Sequence, residues 1–159
     1  MNIVVFDAKP YDIEFFEKWN KQYGARITYY SEKLTLKTAA VLTKYQDVVC
    51  TFVNDDLNEK VIEILSRNGV RAVAIRAAGY NNVDIRAAYH NRVTVFRVPA
   101  YSPYAVAEHA LALLMTVNRK TNKAYNRTRE GNFSLVGLTG IDLNGKTAGV
   151  IGTGKIARI

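Results

Sequence analysis

Cysteine is nearly absent from this sequence. Cys50 is the only one, so no disulfide can form within the chain, and its place in Val48-Val49-Cys50 marks a small buried hydrophobe rather than a nucleophile. Long apolar runs are missing too: no stretch approaches the roughly 18 residues of a membrane-spanning helix. No basic segment followed by an apolar one opens the sequence, so a cytoplasmic protein without a membrane partner is expected. Histidine is scarce, and no acidic or histidine cluster stands at ligand spacing, so no metal site is expected. Acidic residues are outnumbered 14 to 22 by Lys and Arg, a formal net charge of +8.

That excess is uneven. Up to Pro99 there are 14 basic and 11 acidic residues, and from Ala100 onward 8 and 3. Arg119, Lys120, Lys123, Arg127 and Arg129 are scattered through NRKTNKAYNRTRE at spacings that wrap around a helix. A solvated helix end explains them, since helix C-termini favour cations. No aromatic stacking motif accompanies the charge, so no nucleic-acid partner is expected.

What is present is an ordinary globular composition, with 48% hydrophobic and 23% charged residues over 159 positions. That length suits one domain, or one domain and a piece of another. Short Val- and Ile-rich runs alternate with amphipathic stretches. NIVVFD, ARITYY, DVVCTFV, VRAVAIRA and RVTVFRV read as five strands. Between them lie helices. One is marked by Ile13, Phe16, Trp19 and Tyr23 and ended by Gly24, others by TLKTAAVLTKY, LNEKVIEILSRNG and NVDIRAAYHN. Alternation of this kind predicts βαβ units and a parallel sheet covered on both faces. Ligands of such sheets bind beyond the carboxyl ends of the strands, here the turns after Phe6, Val53, Arg76 and Val98.

After Pro99 the character changes. Ser102 and Pro103 form an N-cap and first-turn pair, and nothing from Tyr104 to Glu130 breaks a helix before Gly131. One helix of about 40 Å is expected. Its apolar middle, ALALLMTV, calls for burial by more than one neighbour. An irregular connector then leads to TAGVI, a sixth strand, and to GVIGTGKIARI, where the sequence ends.

Several residues carry chemistry, each with an ordinary alternative. The loop Ala77-Ala78-Gly79-Tyr80-Asn81 follows the fourth strand. Its glycine lets backbone N–H groups approach an anion, or it is a plain turn with Asn81 or Asn82 capping the next helix. Tyr101 is a hinge packing residue or a phenol donor to a carboxylate. Glu108 and His109 are adjacent on a helix and point about 100° apart, so they do not form an acid–base pair. His90 stands at a helix end. Asp55 and Asp56 are read as caps of the helix beginning near Leu57. At the end, Gly152, Gly154 and Ala157 have the G-x-G-x-x-A spacing of a phosphate-binding strand-to-helix turn. There Gly152 makes the turn, Gly154 admits the pyrophosphate and position 157 allows close packing.

RAAGYNNVD, RVPAYSPYAVAEHALAL, NRTREGNFSLVGLTG and GKTAGVIGTGKIAR, in this order, resemble the NAD-dependent D-2-hydroxyacid dehydrogenases, and most of all their D-lactate dehydrogenase branch. The resemblance covers essentially the whole chain, although family members are about twice as long. It implies an α/β architecture: a flavodoxin-like substrate domain over residues 1–99, then over 100–159 a long helix and the first strand of a truncated Rossmann NAD domain. It implies a small 2-keto or 2-hydroxy acid held by backbone amides of Ala78 and Gly79 with Tyr101. It further implies NAD near Val106 and along Gly152, Gly154, Lys155, Ile156 and Ala157, and a homodimer. The catalytic arginine, glutamate and histidine would lie beyond Ile159, leaving these residues without turnover. Dinucleotide-sensing corepressors share the fold, so a non-enzymatic binding or association module is the alternative.

Overall fold

The computed structural model describes residues 1–159 and divides into two compact units, Met1–Tyr101 and Ser102–Ile159. In the first, five short strands, Asn2–Val5 (β1), Arg26–Tyr29 (β2), Val48–Thr51 (β3), Ala72–Ile75 (β4) and Thr94–Arg97 (β5), alternate with helices. These are Pro10–Asn20 (α1), Leu36–Leu42 (α2), Glu59–Arg67 (α3) and Ile85–His90 (α4). All strand pairs are parallel, in the order β2-β1-β3-β4-β5, the flavodoxin-like winding.

The register explains the two-sided core. Val4 is opposite Val49, which is opposite Val73, and all three point into the larger cluster with Leu34, Ile62 and Leu65. One residue on, Val5 and Cys50 face the other side, where Phe16 of α1 packs. Side-chain caps start the later helices: Thr35 for α2, Asn58 for α3 and Asp84 for α4, each accepting from an N–H three residues on. Gly69, with φ 93°, makes the left-handed exit from α3 that a residue with a Cβ resists.

Three local expectations are corrected within this unit. Asn58, not Asp55 or Asp56, caps α3; Asp55 is buried and accepts from the N–H groups of Leu34 and Phe52, both at 2.6 Å. Neither Asn81 nor Asn82 caps α4; the Asn82 amide instead donates to the carbonyls of Asp55 and Phe52. The inner face of α1 is Asp12, Phe16 and Asn20, while Trp19 and Tyr23 are exposed.

The second unit holds helices Pro103–Arg119 (α5), Thr121–Arg129 (α6) and Lys155–Arg158 (α7), with a long connector before α7. Ser102 caps α5 as its spacing predicts. The single helix expected to Glu130 is two, because Lys120 adopts φ 51°, ψ 36° and breaks the hydrogen-bond ladder. Leu111, Leu113, Leu114, Met115 and Val117 of α5 are exposed rather than buried. Residues 147–151 form no strand, since a strand needs a paired neighbour and this unit contains none. Arg127 is not merely solvated: its guanidinium donates to the carbonyls of Ser134 and Val136 and gathers the connector. Asn118 holds both the N–H and the C=O of Ile141, and the neighbouring Gly140 sits where a Cβ would collide with the Asn118 carbonyl. No helix of either unit is long and apolar enough to cross a membrane.

Candidate functional site

Parallel winding brings the carboxyl ends of β1, β3 and β4 side by side, and a cleft of about 480 Å³ opens there. Tyr11 and Asp12 reach it from the start of α1, Phe52 and Val53 from the turn after β3, and Arg76, Ala77 and Ala78 from the end of β4. Tyr101 completes the lining. The walls are thus largely aromatic and apolar, with a few polar groups converging, the usual make-up of a small-ligand site.

Arg76 organises the floor. Its Nη2 donates to the carbonyls of Phe6 and Asp7 at 3.0 and 3.1 Å, and its Nε lies 3.4 Å from an oxygen of Asp12. Both partners are largely buried, with side chains 14% and 12% exposed. The guanidinium also covers the Phe52 ring at 5.5 Å. The other Asp12 oxygen accepts the Lys9 N–H and so starts α1. Asp7 takes φ 49°, a left-handed conformation that aspartate tolerates better than most residues, and its carboxylate binds Lys9 Nζ at 2.7 Å. That hydrogen bond holds the Asp7 carboxyl below its usual range against the opposing effect of burial. Asp55 behaves oppositely: burial raises its carboxyl, and the two N–H bonds only partly offset this. Burial likewise raises the Cys50 thiol, against the opposing effect of Arg76, whose Nη1 donates to its sulfur at 3.6 Å.

Of the residues singled out from the sequence, Ala78 and Tyr101 line the cleft, and Gly79 adjoins Ala78 on the exposed turn. The N–H groups of Ala78 and Gly79 meet no acceptor within the chain. A Cβ placed on Gly79 would meet nothing within 4 Å, so the space before that peptide is open. Arg97, at the end of β5, donates to the Ala78 carbonyl at 2.9 Å and stacks on Tyr80 at 5.3 Å. Neither histidine lines the cleft. His90 ends α4 against Tyr89, and His109 is exposed on α5.

In the second unit, Val106 lies in the first turns of α5 and is partly exposed. Gly152 adopts φ 114°, which only glycine takes readily, and Gly154 begins α7 without a side-chain cap. The N–H groups of Lys155, Ile156 and Ala157 therefore face no acceptor of the chain, and a Cβ on Gly152 or Gly154 would meet open space. Half-buried Ala157 belongs to the helix, α7, that packs on α5. Free amides, open space and the cations Lys155 and Arg158 fit a phosphate group.

Arg76, Asp12, Phe52 and Arg97 escaped the sequence reading. The signal available for Arg76 was a charge closing the apolar run AVAI at a carboxyl end. No local signal marks Asp12 or Arg97, because their partners lie on other elements.

A family profile, D-isomer specific 2-hydroxyacid dehydrogenase, catalytic domain, matches residues 3–147. The chain belongs to the D-isomer specific 2-hydroxyacid dehydrogenases. Within this dehydrogenase family it is 51% identical over 156 residues to 2-hydroxyacid dehydrogenase homolog 1 of Schizosaccharomyces pombe, covering 98% of this chain and 47% of that protein. It is 49% identical over the same length to D-lactate dehydrogenase of Escherichia coli, again 98% of this chain and 47% of the relative. The apo structure of the Escherichia coli D-lactate dehydrogenase superposes with a TM-score of 0.88 at 48% identity, over 99% of this chain and 49% of that one. The pyruvate reductase of Chlamydomonas reinhardtii superposes at 0.86 with 38% identity, over 99% and 46%. The chain spans about half the length of the curated relatives it matches.

Proposed function

We propose that the first unit is the substrate-binding half of a D-lactate dehydrogenase and that Ser102–Ile159 opens its NAD site. The reaction is reduction of pyruvate, or a related 2-keto acid, to the D-2-hydroxy acid, in a cytoplasmic setting. The observation that carries this is the pair of free amides at Ala78 and Gly79 beside the apolar cleft. A small 2-keto acid has a carboxylate for such amides and a short apolar body for walls such as Phe52 and Val53. Arg76 is already occupied by Asp12 and two carbonyls, so the amides and the Tyr101 hydroxyl are the groups left for the anion. The names of the relatives support the same substrate class.

NADH supplies hydride when bound, and Gly152, Gly154, Lys155, Ile156 and Ala157 would hold its pyrophosphate, with Val106 near its nicotinamide. These residues bind and orient. Histidine is absent from the cleft and Asp12 is paired with Arg76, so the lining holds no imidazole or free carboxyl to give a proton to a carbonyl oxygen, only the phenols of Tyr11 and Tyr101. The 159 residues are therefore expected to bind a substrate analogue without turning it over.

The test is a titration of the isotopically labelled chain with oxamate, a carboxylate analogue of pyruvate, followed by amide NMR. The Ala78 and Gly79 resonances should move first, with no NADH oxidation on adding pyruvate. Specific turnover, or shifts confined to residues away from the cleft, would overturn the assignment. The exposed apolar residues of α5 favour a second reading, association of two copies through that helix, as a dimeric enzyme or as a non-catalytic module.

A further inference from the structure

We infer that Arg97 is a positioning residue that aims the Gly79 N–H at the substrate carboxylate; this rests on the carboxylate reading of the Ala78–Gly79 turn. The Ala78 carbonyl and the Gly79 N–H belong to one peptide unit. The chain contains no cis peptide bonds, and in a planar trans peptide the C=O and the following N–H point in opposite directions. The Ala78 carbonyl accepts from Arg97 Nη1 at 2.9 Å. The Gly79 N–H is thereby turned away from Arg97, and no group of the chain accepts it.

Arg97 is itself held. Its strand pairs with β4 through Ile75 opposite Arg97, which sets its Cα beside the end of β4. Its guanidinium lies 5.3 Å from the centre of the Tyr80 ring, which follows Gly79 directly. One side chain therefore grips the turn at two points, a carbonyl before Gly79 and a ring after it. Gly79 would otherwise leave the turn loose, having no side chain and no neighbour within 4 Å of a Cβ position. A cation on the carbonyl side also polarises the shared peptide and makes its N–H the better donor to an anion. The guanidinium contacts the back of the peptide, so its effect on the ligand passes through the backbone.

The experiment compares the wild-type 159-residue chain with Arg97→Met and Arg97→Lys by amide and carbonyl NMR, with and without oxamate. Arg97→Met should shift the Ala78 carbonyl and Gly79 amide resonances before any ligand is added, at unchanged far-UV circular dichroism. It should also weaken oxamate binding about three- to tenfold, the worth of one hydrogen bond. Arg97→Lys keeps a cationic donor for the carbonyl and should recover part of both effects, which a role in folding alone does not predict. An unmoved Gly79 amide in Arg97→Met, with oxamate affinity within about twofold of wild type, overturns the proposal. If oxamate leaves Gly79 untouched even in the wild type, the carboxylate reading fails and the ligand-aiming role falls with it. The ligand-free shifts would then still show whether Arg97 orients the peptide.

Discussion

Replacing Arg76 with methionine tests the floor of the cleft most directly. The change keeps an apolar stem over Phe52 but removes three things together: the donors to the Phe6 and Asp7 carbonyls, the partner of Asp12, and the cation on the ring. Breaking a fully buried ion pair from one side costs about 3–5 kcal/mol, because the remaining charge is stranded. Asp12 retains some solvent, so the lower part of that range applies, about 3–4 kcal/mol. Against the 5–15 kcal/mol typical of a domain, roughly, that is a large fraction of the total.

The converse change is milder. In Asp12→Asn the side-chain carbonyl can still accept the Lys9 N–H, and Arg76 keeps its two backbone acceptors, so about 1–2 kcal/mol is expected. The double variant no longer strands a carboxylate. It should cost less than the two single changes together by about 1–2 kcal/mol, within the usual range for groups in contact. Urea unfolding followed by circular dichroism, and by the fluorescence of Trp19, the single tryptophan, gives all four corners of the cycle. An Arg76→Met cost below about 1 kcal/mol, or strict additivity, would refute the claim that the pair anchors the cleft.

Two further outcomes follow from single contacts. Asp7 titrates below its ordinary 3.8 because Lys9 favours its charged form, so the pair stabilises the fold above that pH, and the contribution is lost as pH falls through the lowered value. The stability difference between wild type and Lys9→Met should therefore shrink to nothing under acid; a difference that persists or grows there contradicts the assignment. In sedimentation velocity the chain should form dimers that Leu113→Glu on α5 disperses, whereas a wild-type monomer at every concentration would remove the association reading.

The alternating apolar runs made the five strands and their helices legible, because burial on both faces of a parallel sheet demands Val- and Ile-rich strands whatever the ligand. Side-chain roles decided by distant partners were not legible. Asp55 looked like a helix cap because two acids precede LNEKVIEIL, but its acceptors are spent on Leu34 and Phe52, one of them 21 residues away. Trp19 and Tyr23 looked like the inner stripe of α1, yet Asp12 is turned inward by Arg76, and the helix rotates so that Phe16 and Asn20 follow it. The break at Lys120 has no sequence signal, since lysine has ordinary helix propensity and no proline or glycine stands nearby.

The cleft of the first unit and the glycine turn of the second differ in how they are specified. The Gly152–Ala157 turn is local: φ 114° at Gly152 and an uncapped α7 are properties of consecutive residues, and the turn forms although residues 147–151 pair with nothing. The cleft is topological. Residues 11–12, 52–53 and 76–78 converge because β1, β3 and β4 are neighbours in the sheet and all end on the same side. Arg76 then reaches 70 residues back to the Phe6 carbonyl, a contact that exists only once the sheet has formed. The geometry of the cleft thus depends on folding of the first unit as a whole, whereas the glycine turn depends on a few residues and two glycines.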